Sequence, residues 1–283
     1  ALIQSSSGVT VITVGLVSAG LLTLRQAIGI VMGANIGTTI TTFIIGFNIT
    51  HYALPILFLG AACLFFVKHN FINNLGRILF GFGGIFFALT LMSSAMEPLK
   101  HLPAFTELTI KLSNSPVLGV FIGTMITVLV QASSATISIL QNVYQENLIT
   151  LKAALPVLFG DNIGTTITAI IAVIGANTSA KRLALSHTMF NVIGTIIFMI
   201  LLSPFTMFVQ KMAEILHLNP KVTIAFAHGS FNVMTTILLF PFIRVLEYVV
   251  VKLIREKDED QVEHKPKYLH SALIYTPSIA LGQ

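Results

Sequence analysis

Long apolar stretches separated by short polar breaks run along the whole chain. Candidate membrane segments fall at 3–22, 26–47, 52–67, 77–96, 116–145, 150–175, 182–203 and 221–252. Residues 53–67 and 78–96 carry no charged side chain and approach the ~20 apolar residues that a helix needs to cross hydrocarbon. The segments 3–22, 26–47, 116–145 and 150–175 are poorer spanning candidates, because Ser, Thr and Gly interrupt them. Re-entrant hairpins or broken helices suit them better, since irregular backbone is tolerated at membrane depth only where protein or water covers it. Between these segments, 100–115 and 207–218 scatter apolar residues among polar ones and read as interfacial helices or loops. His69 and Asn73 stand among Lys68, Asn70 and Asn74 and read as a loop.

The hydropathy pattern predicts an all-α polytopic membrane protein, and composition sharpens that expectation. Hydrophobic residues make up 54% and charged residues 10% of the 283, with a mean hydropathy of +0.87; soluble chains carry about 25% charged residues. The net charge of +5 comes without a basic–aromatic cluster, so a nucleic-acid partner is not expected. Cys63 is the single cysteine, which excludes an internal disulfide framework.

The organising feature is an internal repeat at an offset of 127 residues. Residues 33–41, Gly-Ala-Asn-Ile-Gly-Thr-Thr-Ile-Thr, align with 160–168, Gly-Asp-Asn-Ile-Gly-Thr-Thr-Ile-Thr, and differ at one position of nine. Without a gap, Gln4-Ser5-Ser6-Ser7 falls on Gln131-Ala132-Ser133-Ser134. Small-residue ridge packing alone would explain the glycines and threonines, but Gln and Asn do not help close packing. Duplicated halves with interrupted helices at matching places point to a secondary transporter's binding site. The second copy has apolar lead-ins at 81–96 and 117–130, whereas only three residues precede Gln4; further spanning sequence is expected ahead of the first copy.

An oxyanion entering a bilayer must exchange its water shell for fixed donors: hydroxyls, amides and the N–H groups at helix starts. Gln4, Ser5, Ser6 and Ser7 with Gln131, Ser133 and Ser134 supply such donors from both copies. Asn35, Thr38, Thr39, Asn162, Thr165 and Thr166 offer oxygens suited to a small cation. Gly33, Gly37, Gly160 and Gly164 would permit unwinding and close approach. Each hydroxyl has an ordinary alternative, a bond to the preceding helical turn. Asp161 is an acid within the repeat where the first copy has Ala34; it reads as a sodium ligand, a titrating group or a hydrogen-bonded helix-end carboxylate. His187–Asn191 and His228–Asn232 repeat a His-x-x-Phe-Asn pattern that sets His and Asn on one helix face. These four are expected to support binding residues rather than touch a ligand.

Together these motifs resemble the type II sodium/phosphate cotransporter family, whose members carry Gln-Ser-Ser-Ser and Gly-x-Asn-Ile-Gly-Thr-Thr in each of two inverted repeats. The resemblance implies a sodium-coupled phosphate symporter working by alternating access, not an enzyme. Phosphate would sit between the two Gln-Ser-Ser tips on Gln4, Ser5, Ser6, Gln131, Ser133 and Ser134. Sodium would be the coupling ion and the sole metal, on Asn35, Thr38, Thr39, Asp161, Asn162, Thr165 and Thr166, with no organic cofactor and no transition metal. It also implies the bacterial plasma membrane with a cytoplasmic C-terminal tail, and leaves a homodimer open. Ala132 and Asp161 depart from the family pattern. The expected organisation is a first transport repeat at 1–97, a second with its lead-in at 98–203, a terminal membrane region at 204–252, and a charged tail at 253–283 leading toward a PhoU-like domain. Rival readings are a phosphate sensor, a carrier of another oxyanion, and an intramembrane hydrolase using Ser133 or Ser134 with His187 and Asp161.

Overall fold

A computed structural model describes residues 2–47, 49–96, 98, 102, 107, 110–112 and 114–255. The charged tail from 256 onward and most of the 98–115 lead-in lie outside the described residues. Among the described residues the chain is helical without strands, as the hydropathy pattern predicts. Its longer helices are α1 (Ser6–Ser18), α2 (Leu24–Gly46), α3 (Ala53–Phe66), α4 (Asn70–Met96), α5 (Pro116–Val130), α6 (Ser133–Gln145), α7 (Leu151–Gly164), α8 (Thr166–Ala172), α9 (Thr178–Ile200), α10 (Leu202–Ile215), α11 (Pro220–Leu239) and α12 (Ile243–Leu253).

Five described helical segments are long and apolar enough to cross a membrane: Leu24–Gly46, Asn70–Met96, Leu151–Ala172, Thr178–Ile200 and Pro220–Leu253. Helix α4 starts earlier than its hydropathy suggests, so Asn73 lies in its first turn rather than in a loop. The Asn73 side chain donates to the Leu64 carbonyl of α3 (3.2 Å), tying this polar first turn to the neighbouring helix.

The repeat is visible in the backbone. Helices α1 and α6 begin and end 127 residues apart, and α2 begins 127 residues before α7. Each α1-type helix ends in a left-handed residue, Gly20 (φ 71°) and Asn147 (φ 56°). Each then turns back into a helix capped by a threonine. Thr23 forms a capping box with Gln26, and Thr150 accepts from the Ala153 N–H. At 13 residues each, α1 and α6 extend roughly 20 Å, short of the ~30 Å hydrocarbon core.

Packing interlocks the two copies. Within each copy the short helix lies on its long partner, α1 on α2 and α6 on α7; between copies, α1 touches α8 and α6 touches α2. Helices α9 and α11 cover both units, and α3–α4 form a hairpin to one side. An aromatic cluster of Phe159, Phe198, Phe205 and Phe231 fills one core, with ring centroids 4.8–6.0 Å apart. A second core gathers Ile28, Met32, Leu183 and Phe190. The phenylalanines of the two His-x-x-Phe-Asn motifs, Phe190 and Phe231, thus anchor different cores.

Close approach of α5 on α7 depends on glycine. A Cβ on Gly164 would meet the Thr127 Cβ at 2.6 Å and the Thr124 carbonyl at 2.7 Å. Gly160 meets the backbone of Val120 and Thr124 in the same way. Unwinding does not occur at either copy's Gly-x-Asn-Ile-Gly segment. Helix α2 runs unbroken through it, and the second copy breaks only at Thr165, whose N–H still bonds the Asp161 carbonyl (3.0 Å). The backbone departs from helix instead at the glutamines.

Candidate functional site

Gln4 (φ 51°) and Gln131 (φ 56°) are left-handed residues immediately ahead of α1 and α6. This conformation costs an L residue roughly 1–2 kcal/mol, and such strain is concentrated at functional sites. The next residue has the same extended geometry in both copies: Ser5 at φ −142°, ψ 106° and Ala132 at φ −143°, ψ 102°. Ser5 Oγ accepts the Gly8 N–H (3.0 Å), so it is a helix cap whose own hydroxyl hydrogen stays available. Ala132 offers neither function, and the Ala135 N–H turns to the Ala132 carbonyl instead (3.1 Å).

The six expected oxyanion residues divide by exposure. Ser6 is buried, Gln4, Ser133 and Ser134 are half-buried, and Ser5 and Gln131 are exposed. No described hydrogen bond joins the Gln4–Ser6 tip directly to the Gln131–Ser134 tip. The first tip is instead held by threonines at the ninth position of each repeated motif. Thr41 donates to Gln4 Oε1, and Thr168 of the second copy lies 2.6 Å from Ser7 Oγ. Gln141 adds a second tie between the copies, donating to the Thr42 carbonyl and the Lys221 carbonyl, both at 2.9 Å. The alignment contains Thr41 and Thr168, but nothing in it marks them as contacts between copies. Gln141 had no motif signal.

The expected cation residues follow one local rule. Thr38, Thr39, Thr165 and Thr166 each donate to the carbonyl three residues back, at 2.8–3.0 Å. Their hydrogens are committed to the helix, while their outward lone pairs are left as acceptors. Asn35 is buried in a tertiary network. Its Nδ2 donates to Asn191 Oδ1 (3.0 Å), its Oδ1 lies 3.2 Å from His187 Nε2, and Asn191 Nδ2 bonds the His187 carbonyl (2.9 Å). Asn162, its counterpart, bonds its own helix at Leu158 (3.0 Å). His228 and Asn232 repeat the internal bond (2.9 Å), yet no described bond links either to Asn162. Among the described residues, a hydrogen bond from a His-x-x-Phe-Asn motif to an asparagine of the repeat occurs at Asn35.

Asp161 is fully buried and accepts from Thr127 (2.7 Å). With His187 on Asn35 and Asp161 on Thr127, no described bond connects either group to Ser133 or Ser134. Among the described residues the hydrogen bonds of a hydrolytic triad are not formed. Among the described residues no group of three His, Cys, Asp or Glu side chains could hold a metal ion.

Comparison with known proteins matches residues 1–94 and 100–237 to the family described as Na+/Pi-cotransporter. The chain is 32% identical over 256 residues to "Uncharacterized protein YqeW" of Bacillus subtilis, covering 90% of this chain and 82% of that protein. It is 26% identical over 282 residues to "Putative inorganic phosphate export protein YjbB" of Salmonella typhimurium, covering all of this chain and 51% of that protein. It is also 34% identical over 138 residues to "Sodium-dependent phosphate transport protein 2B" of Homo sapiens, covering 45% of this chain and 20% of that one. The chain thus spans about half the length of the Salmonella relative. No solved structure matches.

Proposed function

The chain belongs to the Na+/Pi-cotransporter family, a family of transporters and not of enzymes, and from that membership we propose that it carries inorganic phosphate across a membrane coupled to sodium. The observation that carries this reading is the pair of left-handed glutamines, Gln4 and Gln131, each opening a short helix at matching positions of the two copies. Each helix start presents N–H groups that no intrahelical carbonyl satisfies. Ser6, Ser7, Ser133 and Ser134 hydroxyls and the glutamine amides lie beside them. Such an array favours an oxyanion, because donors and the positive end of the helix dipole converge on it.

In this reading phosphate is held by Gln4, Ser5, Ser6, Gln131, Ser133 and Ser134. Sodium uses the outward oxygens of Asn35, Thr38, Thr39, Asn162, Thr165 and Thr166. The copies are inverted relative to one another, and access alternates as one rocks against the other. His187 and Asn191 fix the Asn35 amide so that its oxygen keeps one orientation; the second motif makes only its internal bond, from Asn232 to the His228 carbonyl.

The test is phosphate uptake by proteoliposomes under an inward sodium gradient. Accumulation that requires sodium and is lost in Gln131→Ala and Ser133→Ala supports the assignment. Binding without accumulation would make the protein a sensor, and stronger competition by another oxyanion would reassign the substrate. A second reading, outward transport, is favoured by the printed name of the Salmonella relative; loading vesicles with phosphate and reversing the gradient separates the two directions.

A further inference from the structure

Thr127 on α5, Thr136 on α6 and Asp161 on α7 meet in one fully enclosed cluster. Asp161 is 0% exposed, Thr127 0% and Thr136 2%. Thr127 Oγ1 lies 2.7 Å from Asp161 Oδ1, 3.1 Å from Thr136 Oγ1 and 2.9 Å from the Gly123 carbonyl. Asp161 Oδ2, equally buried, has no hydrogen-bonding partner among the described residues.

Hydrogen counting shows what the cluster lacks. Two threonine hydroxyls bring two hydrogens. The Gly123 carbonyl, both carboxylate oxygens and the hydroxyls' own lone pairs all compete for them. Thr127 can donate to Gly123 or to Asp161, not to both. Thr136 has a weak further outlet in the Ala132 carbonyl at 3.5 Å. Oxygen lone pairs therefore outnumber hydrogens, and no basic side chain is paired with Asp161 among the described ion pairs. An enclosed carboxylate without a counter-charge is costly in a membrane protein.

We infer that Thr127 and Thr136 join Asp161, expected from the sequence among the sodium-binding oxygens, in a binding site for one sodium ion that is separate from the Asn and Thr groups of the repeated motifs and private to the second copy. The privacy follows from the 127-residue offset: Thr136 corresponds to Val9 and Asp161 to Ala34. Both polar groups are apolar in the first copy. The site joins three helices on either side of the Gln131 break, so a cation there would clamp α6 against α5 and α7 and fix the angle at which the second serine-rich tip is presented.

This inference rests on the sodium-coupled reading above, and the two fail differently. The full-length protein purified in detergent is titrated with sodium chloride against choline chloride while its thermal unfolding is followed, without phosphate. Phosphate uptake against sodium concentration is measured in parallel. Asp161→Asn and Thr136→Val are expected to remove most of the sodium-dependent thermal shift. They should also raise the sodium concentration for half-maximal uptake about tenfold or more. Val9→Thr should leave both curves unchanged. Thr136→Val changes no charge and little volume, so it reports on the site even if Asp161→Asn folds poorly. Sodium curves of Asp161→Asn and Thr136→Val that match the parent's overturn the site while leaving the transport reading standing. A parent whose phosphate uptake ignores sodium overturns the transport reading. Loss of pH dependence in Asp161→Asn with an unchanged sodium curve would make the occupant a proton and overturn the sodium assignment.

Discussion

Removal of Asn191 tests whether the network around Asn35 is a structural unit. In Asn191→Ala the Asn35 Nδ2 loses its acceptor at 3.0 Å, in a place where Asn35 is 4% and Asn191 1% exposed. A buried donor left unsatisfied costs about 1–3 kcal/mol. Measured interhelical bonds in membrane proteins average only about 0.6 kcal/mol, because the unfolded state in lipid also finds partners. The truncation also leaves a small void. The expected destabilisation is therefore roughly 1–3 kcal/mol, of which the bond itself accounts for about 0.5–1.5 kcal/mol. A double-mutant cycle with Asn35→Ala isolates that part, read from reversible unfolding in mixed micelles. His187 stays on the far side of Asn35 in Asn191→Ala, so the asparagine should turn rather than detach. Sodium-dependent uptake should accordingly weaken without vanishing. If the two substitutions add to within about 0.3 kcal/mol, the network is incidental, and the support assigned to the motif falls with it.

Other outcomes follow from the same geometry. Ser5→Ala should lower stability by about 1 kcal/mol through loss of the cap, whereas Ala132→Ser should raise it by a similar amount; thermal unfolding reads both. Gln131→Gly relieves a left-handed residue, so stability should hold or rise by about 1 kcal/mol while phosphate uptake is lost. A drop in both would show that the side chain is needed for folding. Gly164→Ala drives a methyl into Thr127 at 2.6 Å and should cost about 1–3 kcal/mol, seen as reduced folded yield on size-exclusion chromatography.

Much of the fold was legible because lipid leaves few options. The apolar runs gave the helices, and the repeat gave the pairing of α1 with α6 and of α2 with α7. Glutamine at positions 4 and 131 marked the matching starts of α1 and α6, although nothing local announced that each would adopt a positive φ. The glycines of the repeated motif were read half rightly. They suggested unwinding and close approach, yet α2 runs unbroken through its copy and the second copy breaks only at Thr165, while Gly160 and Gly164 serve the approach of α5. Contacts between the copies were not legible. The Thr168–Ser7 and Gln141–Thr42 pairs are set by how two similar units dock, and a self-alignment shows only how they correspond. The two His-x-x-Phe-Asn patterns behaved differently for the same reason: α9 reaches Asn35, and no described bond from α11 reaches Asn162.

The Gln141 tie has a consequence for how the protein is made. Its amide reaches the last turns of α2 from 99 residues further along the chain and α11 another 80 residues on. At a synthesis rate of about 5–20 residues per second, the end of α2 waits roughly 5–20 s for Gln141 to emerge, and about as long again for Lys221. The Thr42 carbonyl of the half made first therefore gains this bond only once the half made second is in place. A ribosome stalled between the two copies should leave a nascent chain open to proteolysis at the end of α2, and one released after α11 should not.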